Sequence, residues 1–114
     1  MWTVFDRDIS KIVYIEYSYW NELSNYTGSP LEAAKTILSG KIIYDVPNDG
    51  FFKGAQSLKD GYKFPPLIFL TDKNESRYII LEGHVRMTAY GLVPELFYSV
   101  PVLLGYYEYE ELKK

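Results

Sequence analysis

The chain has 114 residues, enough for one hydrophobic core, and its 47% hydrophobic and 24% charged content fits a globular protein and excludes an intrinsically disordered one. Its formal charge is −3 and it carries only three arginines, Arg7, Arg77 and Arg86, so tight binding of duplex DNA by this domain alone is not expected. It has no cysteine, which excludes disulfides, thiolate metal sites and thiol catalysis.

Aromatic residues reach 18%, twelve of them tyrosine. A tyrosine joins an apolar ring to a hydroxyl that needs a partner or water, so these residues are expected at the core boundary or at a contact surface, an oligomer interface included. Met1 to Ser10 contains Asp6, Arg7 and Asp8 where a secretory signal needs an unbroken apolar run, and no stretch approaches the roughly 18 apolar residues of a membrane span. The expectation is a cytoplasmic protein with no membrane partner.

Along the chain, Ile12 to Tyr17 is rich in β-branched and aromatic residues and predicts a strand, followed by a polar break from Ser24 to Gly28. Ser29, Pro30 and Glu32 supply an N-cap, a first-turn proline and a glutamate at the third helical position. They predict a helix that runs to Leu38 and stops at Gly40, burying Leu31, Ala34 and Leu38 on one face. After the turn signal Pro47 to Gly50, a second helix is expected from Phe51 to Asp60, ended by Gly61.

Leu67 to Leu70 and Arg77 to Leu81 are apolar runs separated by a polar turn, a hairpin pattern. A helix from Gly83 to Tyr90 follows, then a loop through Pro94 and a closing strand from Val100 to Tyr106, where Pro101 suggests an edge or a strand start. The tail Glu108 to Lys114 is charged and reads as frayed or as a short surface helix. These elements predict an α+β fold in one domain spanning 1–114, a small mixed sheet flanked by helices.

The segment Tyr78 to Tyr90 carries the chemistry. A strand that turns through Glu82 and Gly83 into a helix delivers its end to unpaired N–H groups and a partial positive charge, a place suited to an anion. Gly83 allows a sharp turn or close approach, Arg86 can bring a guanidinium to the same anion, and His84 and Thr88 can add hydrogen bonds. Each residue also has a plainer reading: Gly83 satisfies a turn, Arg86 pairs with Glu82, His84 is a neutral hydrogen-bonding ring rather than a general base, and Glu82 caps the helix rather than accepting a proton.

Phe64-Pro65-Pro66-Leu67-Ile68, then Tyr78 to Tyr90, then Val100-Pro101-Val102-Leu103 together resemble the core of the ParB/sulfiredoxin superfamily. Gly83, Arg86 and Ala89 match the GxxRxxA helix of that core, and the resemblance covers Gln56 to Leu104, about half of the chain. In that superfamily the glycine-arginine helix start holds nucleotide phosphates: CTP in ParB-type partition proteins, ATP in sulfiredoxins, phosphoryl donors in related amino-acid kinases. The resemblance implies a ParB/sulfiredoxin-like fold with Gly83 and Arg86 as phosphate contacts and His84 in the place of a polar or basic residue. Val85 stands where ParB proteins usually carry a second basic residue. The turn lacks the cysteine that sulfiredoxins use, so sulfinic-acid reduction is excluded.

If that architecture holds, Asn48 to Lys53 forms a second wall of the pocket, with Lys53 as its cation and a solvated lysine as the plainer alternative. Asp45, Asp49 and Glu82 are the carboxylates for Mg²⁺, which needs only one or two beside phosphates; no dedicated metal site is expected. Two functions follow. The first is binding of a nucleotide or other phosphorylated ligand at Gly83, His84, Arg86, Thr88 and Lys53, extending to phosphoryl transfer or nucleotide hydrolysis with Glu82 and His84 in catalytic roles. The second is a non-catalytic protein-interaction module or homodimer that uses tyrosines such as Tyr106, Tyr107 and Tyr109.

Overall fold

The computed structural model describes residues 2–4, 6–15, 18–98 and 100–107, with side chains from residue 8 onward. Strand β1 (Trp2–Val4) leads through a 3₁₀ turn (Asp6–Lys11) into β2 (Ile12–Tyr14). Three helices follow, α1 (Ser18–Leu23), α2 (Pro30–Leu38) and α3 (Asp49–Lys59). The second half holds β3 (Leu67–Thr71), β4 (Tyr78–Glu82), α4 (His84–Leu92), a 3₁₀ turn (Pro94–Leu96) and β5 (Val100–Tyr106).

The strands form one mixed sheet in the order β1-β5-β3-β4-β2, so the fold is α+β. β3 and β4 make the expected antiparallel hairpin, β5 runs parallel to β3, and β2 runs parallel to β4 at the opposite edge. Pro101 does not mark an edge, because β5 lies between β1 and β3. Pairing with β3 begins only at Val102, so the missing N–H of Pro101 interrupts no bond on that side.

Alternation along the strands separates the two faces of the sheet. Ile12, Tyr14, Leu67, Phe69, Thr71, Tyr78, Ile80, Val100 and Val102 are buried, and all but Thr71 join the core, which also takes Ala33 and Ile37 from α2, Phe51, Ala55 and Leu58 from α3, and Met87, Ala89 and Tyr90 from α4. The alternate positions Val13, Ile68, Leu70 and Ile79 are half-buried, and Leu81 and Leu103 are exposed. Apolar residues thus line the second face as well as the first.

α2 starts as the sequence dictates: Ser29 Oγ accepts from Leu31 N at 3.2 Å and Glu32 N at 3.4 Å, with Pro30 in the first turn. The reciprocal bond from the glutamate is replaced, since Thr27 Oγ1 takes the Ser29 N–H at 3.1 Å and Glu32 turns to Lys35. The buried face is Pro30, Ala33, Ala34 and Ile37 rather than Leu31, Ala34 and Leu38; Leu38 is 65% exposed at the last turn, one step past the helical stripe.

The strand expected over Ile12 to Tyr17 ends at Tyr14, and Glu16 and Tyr17 lie outside the described residues, as does the tail 108–114. From Ser18 the chain is helical because Trp20 packs against Tyr14, ring centroids 4.7 Å apart, and against Phe51 at 6.1 Å, contacts that a further stretch of strand could not make. α3 crosses α4 at Gly54, where a Cβ would come within 2.9 Å of Ala89 Cβ, and this close crossing fixes the helical layer beneath which the sheet is buried.

Candidate functional site

β4 carries an irregularity just before the site. Ile68 pairs with Glu82 but Phe69 pairs with Ile80, so Leu81 is an extra residue and the strand end bends. The bend leaves both Leu81 and Glu82 exposed and hands the chain to Gly83 in a left-handed conformation, φ 104° and ψ 30°. A Cβ there would sit 2.5 Å from Leu67 Cδ2, so glycine is required by both the dihedral and the space. α4 begins at His84 with no side-chain cap on its first turn.

Arg86 folds back over this turn. Its Nη2 lies 3.3 Å from the Cβ position of Gly83, its Nη1 donates to the Pro65 carbonyl at 2.9 Å and the Pro66 carbonyl at 3.3 Å, and Nη2 lies 3.7 Å from Glu82 Oε1. The guanidinium therefore ties the proline-led entry of β3 to the start of α4 while staying beside the helix end. Glu82 is mostly solvated, so its attraction for Arg86 is strongly screened.

His84 stands on the other side of the helix start. Its ring stacks on Tyr14, centroids 5.7 Å apart and planes 10° apart, and lies 5.3 Å from Trp20 at 36°. Burial depresses the imidazole's proton affinity below its ordinary value, and the Glu82 carboxylate acts in the opposite direction. The neutral ring is thus the favoured form at neutral pH. Tyr19 meets Trp20 edge to face at 4.9 Å, and its hydroxyl is buried without a hydrogen-bond partner among the described residues.

The remaining residues picked out in the sequence are placed elsewhere. Thr88 is fully buried one turn into α4, where Oγ1 donates to His84 O at 2.7 Å and takes the Tyr14 hydroxyl; its oxygen is occupied within the core and is not presented to a ligand. Asp49 to Lys53 is the first part of α3 rather than a loop, and Lys53 is exposed with no hydrogen bond or ion pair to any part of the helix start. Asn48 is buried and donates from Nδ2 to Lys41 O at 2.9 Å. Among the described residues no group of three or more acidic or histidine side chains assembles, so Asp45, Asp49 and Glu82 do not converge.

Tyr106 is exposed and Tyr107 half-buried at the end of β5, and Tyr109 lies outside the described residues. The aromatic wall of Tyr14, Tyr19 and Trp20 is the part of the site that sequence reasoning missed. Its signal was the density of aromatic residues from Tyr14 to Trp20, of which the strand expected over Ile12 to Tyr17 took in only the first part and left Tyr19 and Trp20 unassigned. Among the described residues no helix is long and apolar enough to cross a membrane. Comparison with protein-family models, with curated proteins and with solved structures gives no match.

Proposed function

We propose that this protein binds a phosphorylated small molecule, with a nucleotide as the favoured class, at the start of α4. The observation that carries the reading is the uncapped first turn of α4, which opens on a left-handed glycine with the Arg86 guanidinium packed beside it. Unpaired first-turn N–H groups and a guanidinium packed beside the opening glycine are the combination that suits phosphate oxygens. Trp20 beside His84, with Tyr19 edge-on to Trp20, supplies an aromatic surface on which a base or another planar group can stack. The resemblance of Gly83, Arg86 and Ala89 to the ParB/sulfiredoxin helix supports the same ligand class.

Arg86 also braces Pro65 and Pro66, so a variant that spares it is the cleaner probe. Val85 is exposed on the first turn, and Val85→Glu places a carboxylate on the N–H groups that would hold phosphate. Calorimetry with ATP, CTP, GTP and ADP plus Mg²⁺, and with inorganic phosphate, is expected to show saturable binding that Val85→Glu abolishes without lowering the melting temperature. No binding at millimolar concentration, or equal binding by the variant, overturns the proposal.

A second reading, a protein-interaction module, is favoured by one observation. Leu38, Ile42, Tyr44, Val46 and Phe52 are all exposed between the end of α2 and the first turn of α3. Light scattering of the wild type against a Tyr44→Ser, Phe52→Ser double variant tests it. A monomer in both cases removes the homodimer form.

A further inference from the structure

On the open face of the sheet, at its β2 edge, lies a cavity of about 390 Å³ lined by Val13, Ile15, Asn21, Tyr26, Arg77 and Ile79, with Thr27 and Gly28 completing one wall. Its floor is the parallel pair Val13 and Ile79, extended by Ile15, all half-buried and none polar. Its cation is Arg77, exposed and without an ion pair among the described residues. A small-molecule site has this composition: a mostly apolar lining, a volume of roughly 300–1,000 Å³ and a few polar groups that orient the ligand.

The wall is held rigidly. Asn25 and Tyr26 both adopt left-handed backbone, φ 54° and 62°, a conformation costly for tyrosine and maintained only where surrounding bonds enforce it. Those bonds are Tyr26 N to Asn21 O at 2.7 Å, Thr27 Oγ1 to Ser24 O at 2.7 Å and Gly28 N to Ser24 Oγ at 3.0 Å. The Tyr26 hydroxyl donates to the Glu22 carboxylate, a bond that restrains the exposed ring beside the cavity.

A peptide strand cannot extend the sheet here through Tyr14, because its N–H already donates to Gly28 O at 2.8 Å and the loop occupies that edge. The occupant must therefore enter over the face of the sheet. We infer that this cavity is a binding site for a small amphipathic carboxylate, its apolar body lying on Val13, Ile15 and Ile79 beside the Tyr26 ring and its carboxylate paired with Arg77. The site shares no residue with the start of α4 except the back of Tyr14, and it stands or falls independently of the phosphate site.

Decanoate and decan-1-ol, equal in chain length and different in charge, are the probes, read by amide NMR titration of the whole chain. Decanoate is expected to shift the amides of residues 13–15, 21–28 and 77–79 saturably, at least tenfold more tightly than decan-1-ol. Arg77→Gln, at an exposed position, should erase that tenfold preference while leaving the alcohol unchanged. Tyr26→Asn keeps a residue tolerant of left-handed backbone and should weaken both probes about equally. Absence of saturable shifts, saturation at other amides, or equal affinity for both probes in wild type and Arg77→Gln each overturns the inference.

Discussion

Arg86 Nη1 lies 2.9 Å from the carbonyl oxygen of Pro65, and this bond joins the residue entering β3 to the residue closing the first turn of α4. The same guanidinium reaches Pro66 O, so one side chain on α4 holds a proline pair that has no N–H of its own to bond. Arg86→Ala is expected to cost about 1–2 kcal/mol in urea denaturation, since charged hydrogen bonds are lost at a partly solvated position. Glu82→Gln, which removes only a screened ion pair, should cost less than about 0.5 kcal/mol. Equal losses for the two variants would show that the pair, not the carbonyl bonds, fixes the turn.

Gly83 is the residue on which the geometry turns. An alanine there would combine a left-handed backbone with a Cβ 2.5 Å from Leu67 Cδ2. The two penalties together amount to about 3 kcal/mol, and the midpoint of denaturation should fall accordingly. Gly83→Ala combined with Leu67→Ala relieves the contact but not the dihedral. The backbone penalty should therefore remain when Gly83→Ala is made in the Leu67→Ala background, and the double-mutant cycle should report the contact alone.

Local signals made the start of α4, the hairpin and α2 legible from sequence, because each is encoded by neighbours in the chain. Ser29 and Pro30 cap their own helix, and Gly83 and Arg86 lie within one turn of each other. The wall of Tyr14 and Trp20 was not legible, since these residues reach His84 only through the parallel pairing of β2 with β4. α1 was missed for a related reason. It is six residues long, rich in residues of weak helical propensity, and held by Trp20 packing on Tyr14 and Phe51 rather than by caps. Thr88 was misjudged because a hydroxyl one turn into a helix looks available until the strand that covers it is known.

Acid should weaken the fold through His84. Burial places the folded-state proton affinity of the imidazole below its ordinary value of 6.5, so the unfolded chain binds a proton more readily than the folded one. Stability is then highest above pH 6.5 and declines as the pH falls below that value. Melting temperatures measured between pH 8 and 5 should show this decline in the wild type and a smaller one in His84→Gln. Identical profiles would exclude His84 as the source. Asp72, whose carboxylate is held low by the Ser76 hydroxyl and by backbone N–H groups, acts in a separate and more acidic window below its ordinary value of 3.8.

The Tyr14 and Thr88 hydroxyls bond to each other in the core, and Thr88 Oγ1 in turn donates to His84 O at 2.7 Å. The donor order follows: Thr88 spends its proton on His84, so Tyr14 must donate to Thr88. Burial raises the Tyr14 hydroxyl far above its usual range, which keeps it protonated as this order requires. Removing the two partners is therefore unequal. Tyr14→Phe takes away a donor and leaves Thr88 Oγ1 still bonded to His84 O, at a cost of about 1 kcal/mol. Thr88→Val strands a buried hydroxyl proton on Tyr14 and should cost about 2–3 kcal/mol. The double variant should be less destabilised than the sum of the two, because with both hydroxyls gone no buried group is left unpaired. Additive losses would show that the two hydroxyls are not coupled, and a larger loss for Tyr14→Phe would reverse the assigned direction of the bond.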